Sequence, residues 1–169
     1  MDTNRTALVT GGNRGIGLAI CEGLADRGVH VVMGARDEET GEDAAASIRE
    51  RGGSVRVEQL DVIETASIEA CKERLDADDV AVDALVNNAG VYPEGDALGV
   101  SIDQLDQAWT VNTRGPWLLV KAFVPDMIER GYGRVVNVSS GSGSFGEGLD
   151  TNHAAYSAAK AGLNALTMT

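Results

Sequence analysis

The chain of 169 residues is 43% hydrophobic and 24% charged, a balance that predicts one soluble globular domain over residues 1–169, large enough to bury a substantial core. Its 26 acidic and 14 basic side chains give a net charge of −12, which repels phosphate backbones and anionic membranes and argues against a nucleic-acid or membrane partner. Residues 1–5 lead straight into the first predicted strand without an export signal or membrane span, so we expect a cytoplasmic protein.

Apolar, β-branched runs alternate with amphipathic segments along the chain, which is the pattern of βαβ units around a buried parallel sheet. We therefore predict an α/β fold with a Rossmann-type, doubly wound parallel sheet in three α/β/α layers. The predicted strands cover residues 7–10, 29–35, 54–60, 84–87 and 134–139. The predicted helices cover residues 16–27, 38–51, 65–76, one long element at 102–129, and a last segment that begins near residue 152.

The first predicted strand ends in a glycine-rich turn. Glycines let the backbone approach a ligand closely, and the helix that follows points its N-terminus at a pyrophosphate. By itself this pattern also fits a glycine-rich connection without a ligand. Together with the clusters further along the chain it predicts a dinucleotide site. The candidate cofactor-binding residues of the turn are Gly11, Asn13, Arg14, Gly15, Ile16 and Gly17.

The end of the second predicted strand bears on which dinucleotide binds. Sites that prefer NAD usually place an acidic residue there to accept hydrogen bonds from the ribose hydroxyls, whereas this strand ends in Arg36. A guanidinium suits a 2′-phosphate, and Arg14 supplies a second positive charge, so NADP(H) is favoured over NAD(H). Asp37 follows directly and leaves an alternative open, because it could pair with Arg36 or contact a ribose.

Small and polar residues follow the third and fourth predicted strands. Asp61, with Val62 beside it, is placed to accept a hydrogen bond from an adenine amino group, although a turn or helix-capping role also fits Asp61. Asn88, Ala89 and Gly90 follow the fourth strand and are predicted to line the cofactor channel. Two glycine-rich loops, residues 91–100 and 141–151, lie at the same edge of the predicted sheet, where open α/β sheets bind ligands.

Tyr156 and Lys160 lie four residues apart in the last predicted helix, and therefore on one face with about 5–6 Å between their Cβ atoms. A free phenol has a pKa of about 10, so a phenol that exchanges a proton near neutrality needs a positive charge beside it. Such pairs also arise by chance on exposed helices, but Lys160 is one of only three lysines. The pair predicts a proton donor at Tyr156, and both residues are also candidate cofactor contacts.

Two further residues complete the predicted catalytic set. Ser140, at the end of the fifth predicted strand, carries a hydroxyl that can donate to the developing charge on a carbonyl oxygen. Ser139 and Ser142 remain alternatives for that role, because the segment between them and Tyr156 is long. Asn112 lies within the long predicted helix, where a local break would let it hold a water that connects Lys160 to solvent.

With these motifs in place, the chain from residue 7 to residue 169 resembles the short-chain dehydrogenase/reductase family. The resemblance rests on the glycine turn at residues 10–17, Asn-Asn-Ala-Gly at 87–90, and the set Asn112, Ser140, Tyr156 and Lys160. Details such as Gly-Ala-Arg-Asp at 34–37 look most like NADPH-dependent carbonyl reductases. The resemblance implies hydride transfer between NADP(H) and a small carbonyl or alcohol substrate, and assembly into a homodimer or homotetramer.

Members of this family continue beyond the last helix with further strands and a segment that covers the substrate. We therefore expect a C-terminally incomplete version of the family fold, lacking its last strands. Two alternatives to an active reductase follow: a catalytically incomplete nucleotide-binding fragment, whose sheet edge lacks its partner, and an NAD(P)-sensing regulator without turnover. The intact Tyr156–Lys160 pair argues against the regulator.

The remaining distinctive residues are interpreted as structural. Cys21 and Cys71 are predicted to be free thiols, and with two distant histidines no metal site is expected. His153 is predicted to be a helix-start residue near solvent, with tuning of Tyr156 as the alternative. An acidic surface with few lysines suits a high-salt cytoplasm, and an ordinary acidic enzyme is the alternative. Core packing is predicted for Trp109, Trp117, Leu118 and Phe123.

Overall fold

A computed structural model of the protein describes residues 5–169, so most of the predicted lead into the first strand, residues 1–4, lies outside the described residues. The strands of the described chain are β1 (Thr6–Thr10), β2 (His30–Ala35), β3 (Val55–Gln59), β4 (Ala84–Asn87) and β5 (Arg134–Asn137). Its helices are α1 (Gly15–Ala25), α2 (Glu38–Glu50), α3 (Thr65–Ala77), α4 (Ile102–Trp109), α5 (Gly115–Glu129) and α6 (Ala154–Thr167). A π-helical turn (Thr110–Arg114) joins α4 to α5, and a 3₁₀ turn (Gly141–Gly143) follows β5.

The strands form one parallel sheet in the order β3-β2-β1-β4-β5. The chain moves outward from β1 to β3 and then crosses back to β4, so the order reverses between β1 and β4 and creates a switch point at their C-terminal ends. Helices α1 and α2 pack on one face of the sheet, and α3 and α5 pack on the other. The predicted Rossmann-type, doubly wound α/β fold is confirmed.

Neighbouring residues of the central strands are buried on opposite faces of the sheet. Leu8 of β1 packs with Leu85 of β4 against α3 and α5, whereas Val9 and Val86 pack against α1 and α2. The parallel register places Leu8 beside Leu85 and Val9 beside Val86. Because helices cover both faces, the strands are apolar without alternation, which is why they are recognisable as buried parallel strands.

The long predicted helix over residues 102–129 is interrupted, and this corrects its prediction as one element. The π-helical turn separates α4 from α5 because Asn112 turns both ends of its amide toward the backbone of Val91, and because Pro116, in the first turn of α5, has no N–H to continue the ladder. Pro125 lies inside α5 without ending it. The last helix begins at Ala154, and β5 ends two residues before its predicted end.

The predicted core role is wrong for two of the four large residues of this region. Phe123 is buried and Leu118 packs against the same core cluster, but Trp109 and Trp117 are each 49% exposed. One edge of the Trp109 ring lies against α6, where a Cβ added to Gly162 would come within 3.1 Å of it. Trp109 therefore contacts α6 with one edge and leaves much of its surface accessible.

Both cysteines are buried free thiols, as predicted, and burial raises the pKa of Cys21 and of Cys71 to about 12. No helix within residues 5–169 is long and apolar enough to cross a membrane. Within the same range, no three or more His, Cys, Asp or Glu side chains are grouped so that they could hold a metal ion.

Candidate active site

The turn between β1 and α1 uses glycines for two reasons, backbone conformation and lack of space for a side chain. Gly11 and Gly15 have φ values of 62° and 52°, in the left-handed region that favours glycine. A Cβ at Gly17 would collide with the carbonyl oxygen of Gly11 and lie 2.5 Å from the Asn88 side-chain amide nitrogen. Helix α1 starts here without a side-chain cap, so its first N–H groups face the turn. This geometry fits a pyrophosphate held by backbone groups.

Asn88 and Thr10 brace the turn from the neighbouring strand. The Asn88 amide donates to the carbonyl oxygens of Thr10 at 2.9 Å and Gly11 at 3.2 Å. The Thr10 hydroxyl accepts hydrogen bonds from the backbone N–H groups of Asn88 and Ala89, both at 3.0 Å. Of the predicted channel residues, Asn88 and Ala89 therefore hold the turn directly. Gly90 lies next to Asn112, because a Cβ added at Gly90 would be 3.0 Å from the Asn112 side-chain oxygen.

The two arginines predicted for cofactor binding are exposed beside the turn. Neither Arg14 nor Arg36 makes a side-chain hydrogen bond or ion pair with any residue of the described chain. Asp37, the uncertain neighbour of Arg36, caps α2: its carboxylate accepts a hydrogen bond from Thr40 N at 2.8 Å. Asn13 also joins this corner, since its amide donates to the Thr40 hydroxyl at 3.0 Å. The corner presents the two guanidinium groups of Arg14 and Arg36, and the carboxylate of Asp37 is engaged in the cap.

Asp61 and Val62 follow β3 at the same edge of the sheet. Asp61 forms a local turn, accepting a hydrogen bond from Ile63 N at 3.2 Å, which matches the turn role considered for it and leaves its second carboxylate oxygen available. Val62 is buried in the core on the α3 and α5 side. Its side chain therefore serves packing, and only its backbone can face a ligand. Ile16, at the start of α1, is largely exposed at the glycine turn.

Lys160 of the predicted catalytic set is held by burial and by a hydrogen bond. Its side chain is buried, its ammonium donates to the carbonyl oxygen of Val138 at 2.7 Å, and its Nζ lies 5.7 Å from the centre of the Tyr156 ring. Burial lowers the pKa of Lys160 from its ordinary value. The two residues occupy one face of α6, as their spacing predicts. The Tyr156 hydroxyl makes no hydrogen bond within residues 5–169 and is available to a ligand.

The serines after β5 differ in the hydrogen bonds that their hydroxyl groups make. The Ser139 hydroxyl donates to the side-chain oxygen of Asn164 on α6 at 2.5 Å. The Ser140 hydroxyl accepts a hydrogen bond from Ser142 N at 3.1 Å, and within the described chain its own proton has no acceptor. A hydroxyl with a free proton can donate to a substrate oxygen. Ser140 therefore fits the predicted role better than Ser139.

Asn112 is fully buried at the π-helical turn. Its side-chain oxygen accepts a hydrogen bond from Val91 N, and its amide donates to Val91 O, both at 2.9 Å. The predicted local break is present, but the side chain is engaged with the loop after β4. A water relay through Asn112 would have to use its backbone carbonyl.

Several residues of the site carry no motif that sequence reasoning could recognise. Gly143 packs against α6 so closely that an added Cβ would lie 2.7 Å from backbone and side-chain atoms of Lys160. Asn164 donates to Gly143 O at 3.1 Å, and Thr113 donates to Ala159 O at 2.8 Å. These contacts fix α6, and with it Tyr156 and Lys160, against the 3₁₀ turn after β5 and the π-helical turn. Only the tertiary structure brings them together.

An aromatic cluster adjoins Tyr156. The Tyr92 ring meets the Tyr156 ring edge-on, with centroids 4.4 Å apart, and stacks on the His153 ring at 4.0 Å. Asp150 accepts a hydrogen bond from His153 Nδ1 at 2.8 Å, and this bond holds the pKa of the Asp150 carboxyl below its usual range. His153 precedes α6 directly, as the helix-start prediction states. In the sequence, the position of His153 three residues before Tyr156 was a signal that it could belong to the site. Nothing in the sequence indicated that Tyr92 and Asp150 join it.

The chain is similar to known oxidoreductases over nearly its whole length. A family model described as short chain dehydrogenase matches residues 5–169. Galactitol 2-dehydrogenase of Agrobacterium fabrum is 32% identical over 157 residues, which cover 92% of this chain and 60% of that enzyme. The 3-oxoacyl-acyl-carrier-protein reductase FabG of Escherichia coli is 36% identical over 160 residues, covering 94% and 63%.

The same likeness holds in three dimensions. The crystal structure of a metagenomic short-chain oxidoreductase in complex with NADP superimposes with a TM-score of 0.89 at 36% identity, covering 97% of this chain and 73% of that one. The chain spans about three fifths of the length of the curated relatives it matches.

Proposed function

This chain belongs to the short-chain dehydrogenase family, and from that premise we propose that it is an NADP(H)-dependent oxidoreductase that interconverts a carbonyl and an alcohol group. The observation that carries the proposal is the buried Lys160 ammonium, 5.7 Å from the ring of Tyr156, whose hydroxyl is left without a partner in the described chain. A positive charge held beside a phenol stabilises the phenolate, so Lys160 supports Tyr156 as a proton donor and acceptor.

Each residue of the predicted catalytic set has its own role in this reaction. Tyr156 gives its hydroxyl proton to the substrate oxygen during reduction and removes that proton during oxidation. Ser140 donates a hydrogen bond to the same oxygen and stabilises charge that develops on it. Lys160 stabilises the phenolate that Tyr156 leaves behind, and Asn112 keeps the loop after β4 in place beside them. The nicotinamide cofactor, when bound, supplies or accepts the hydride.

The glycine turn, α1 and the channel residues would hold this cofactor. The absence of space for a Cβ at Gly17 and the uncapped start of α1 support a pyrophosphate at the turn. The exposed Arg14 and Arg36 support recognition of a 2′-phosphate, because guanidinium groups form strong charge-assisted bonds with phosphate. The competing arrangement, in which Asp37 binds the ribose hydroxyls, is less favoured because one of its carboxylate oxygens caps α2.

Cofactor preference is tested by thermal unfolding of the chain alone and with saturating NADPH or NADH. A ligand that binds only the native state stabilises it by about 2.7 kcal/mol at a hundredfold excess over its Kd. We expect NADPH to stabilise more than NADH, and Arg36→Gln to weaken NADPH binding by about 10- to 100-fold, as for the loss of a charged hydrogen bond. Arg27→Gln, just past the C-terminal end of α1, is the matched control. Equal stabilisation by both cofactors would remove the assignment to NADP(H).

Turnover is tested separately with small ketones and aldehydes. Reduction that needs Tyr156 supports an enzyme. Cofactor binding without any Tyr156-dependent turnover would instead support a nucleotide-binding chain or a regulator. The names of the relatives include a sugar alcohol and an acyl group on a carrier protein, so the relationship alone does not choose the substrate. We propose a small-molecule carbonyl or alcohol compound.

We also propose that the chain acts in the cytoplasm as a homodimer or homotetramer. Trp109 at the end of α4 and Trp117 near the start of α5 are both half-exposed. Large apolar side chains left exposed in this way support an association surface. Sedimentation of the chain, and of a Trp117→Gln variant, tests this assembly.

A further inference from the structure

The cluster of Tyr92, Asp150 and His153 stands beside the proposed proton donor, yet none of the steps above uses it. Tyr92 contacts both other rings, stacked on His153 and edge-on to Tyr156, and it is 53% exposed. The His153 side chain is 18% exposed. Both rings therefore keep accessible surface, and His153 does so one helical turn before Tyr156.

Hydrogen bonds between two loops hold the cluster in place. The backbone N–H of Gly95 donates to Asn152 O at 2.8 Å, and Ala154 N donates back to Gly95 O at 3.0 Å. The Ser157 hydroxyl donates to Asp150 O at 3.1 Å. The loop after β4 and the loop before α6 are thus joined at His153, one helical turn before Tyr156. The backbone that carries His153 is therefore held in place by hydrogen bonds on both sides.

The partner of His153 determines what its ring can offer. A carboxylate can only accept hydrogen bonds, so the 2.8 Å bond to Asp150 requires that Nδ1 of His153 carries the proton. In the neutral ring Nε2 is then a bare acceptor. Within residues 5–169, Nε2 has no hydrogen-bond partner. An acceptor one helical turn before Tyr156 matches a substrate group that donates, and a hydroxyl is such a group.

We propose that His153 binds the substrate, accepting through Nε2 a hydrogen bond from a hydroxyl near the reacting carbon, as in vicinal diols and α-hydroxy carbonyl compounds. Tyr92 supports the imidazole by stacking, and Asp150 sets its tautomer. This inference rests on the proposed function, because it takes Tyr156 as the group that meets the reacting oxygen. It narrows the substrate class to polyhydroxylated or hydroxy-carbonyl compounds.

The first test is independent of turnover. The chain has two histidines, His30 and His153, so ¹⁵N-labelled imidazoles give two sets of signals that a His30→Gln variant assigns. We expect the Nδ1–H tautomer for His153, and a shift of its Nε2 resonance on addition of acetoin in the presence of NADP⁺. Butanone, which lacks only the hydroxyl, should cause no such shift. An Nε2–H tautomer, or the same response to both ketones, would overturn the inference.

The second test uses the same pair of ketones as substrates with NADPH. We expect kcat/KM for acetoin to exceed that for butanone by about tenfold or more, since a site that bonds a hydroxyl discriminates against an analogue without it. His153→Leu should bring the ratio close to one while sparing butanone, His153→Gln should retain part of it, and His30→Gln should leave it unchanged. An unchanged ratio in His153→Leu contradicts the inference. Absence of Tyr156-dependent turnover with both ketones contradicts the proposed function instead, and the imidazole signals then decide the role of His153.

Discussion

The two sides of the candidate site are built by different means. On the cofactor side, backbone groups and glycines form the surface, and Asn88 holds them by hydrogen bonds to Thr10 and Gly11. On the catalytic side, Ser140, Tyr156 and Lys160 supply side-chain atoms from two elements that pack together through Gly143. A surface made of backbone loses its ligand when side-chain atoms are added to it. A surface made of side chains loses its activity when a single functional group is removed.

The sharpest way to test this contrast is to remove one oxygen from the catalytic side. Tyr156→Phe keeps the ring that packs against Tyr92 and deletes the proposed proton donor. We expect turnover to fall on the order of 10²- to 10⁴-fold, with the Kd for NADPH nearly unchanged. Initial rates and cofactor titration measure the two effects. Tyr132→Phe, beside Arg5 and Arg134, is the control. A comparable loss of cofactor binding would show that the two sides are not separate.

Lys160→Met should be the next largest change, and its effect on stability depends on pH. Burial lowers the pKa of Lys160 below its ordinary 10.5, so between the lowered value and 10.5 the unfolded chain binds more protons than the folded chain. The stability of the wild type therefore rises with pH across that window through this group. Methionine does not titrate, so the wild type should gain stability relative to Lys160→Met as pH rises.

Urea unfolding at a series of pH values measures that difference, and turnover of Lys160→Met should fall by about 10²-fold. The exposed Lys121→Met is the matched control and should show neither effect. A constant stability difference across the pH series would mean that the Lys160 ammonium is not held in a buried setting.

Adding one methyl group to the cofactor side should be the third largest change. Gly17→Ala would press its Cβ against Gly11 and Asn88, so we expect a loss of about 1–3 kcal/mol of stability and at least tenfold weaker binding of NADPH. Gly23→Ala, in the same helix, meets only the end of the Arg27 side chain at 3.5 Å and should gain up to about 1 kcal/mol. If Gly17→Ala bound NADPH normally, the close packing of the turn would not be required for the site.

The contrast also explains which parts of the molecule were predictable. The glycine turn, the buried strands and the Tyr156–Lys160 pair depend on local spacing, because two covered faces make a strand apolar and a helix brings residues i and i+4 together. The π-helical turn and the exposure of Trp109 depend on contacts with Val91 and Gly162, which lie far away in sequence. The Tyr92 and Asp150 contacts are of the same kind, since the two residues lie in different loops.

Asp37 shows how a local pattern can be ambiguous until the structure is known. A carboxylate after the second strand fits a ribose contact, an ion pair with Arg36 or a helix cap. The residues next to Asp37 in the sequence are compatible with all three roles. The structure places its carboxylate 2.8 Å from Thr40 N as a cap of α2, with Asn13 joined to the same threonine. Capping is a common use of an aspartate at a helix start, but the two roles predicted for Asp37 were the ion pair and the ribose contact.

Removing that cap should give the smallest effect. Asp37→Ala is expected to cost about 1 kcal/mol of unfolding free energy, the usual cost of losing an N-cap, and to leave the preference for NADPH over NADH unchanged. Asp43→Ala removes the same charge from an exposed position of α2 and controls for electrostatics. Urea unfolding and titration with both cofactors measure the outcome. If Asp37→Ala instead weakened NADH binding alone, the carboxylate would be reading the ribose, and the cofactor side would depend on a side chain as the catalytic side does.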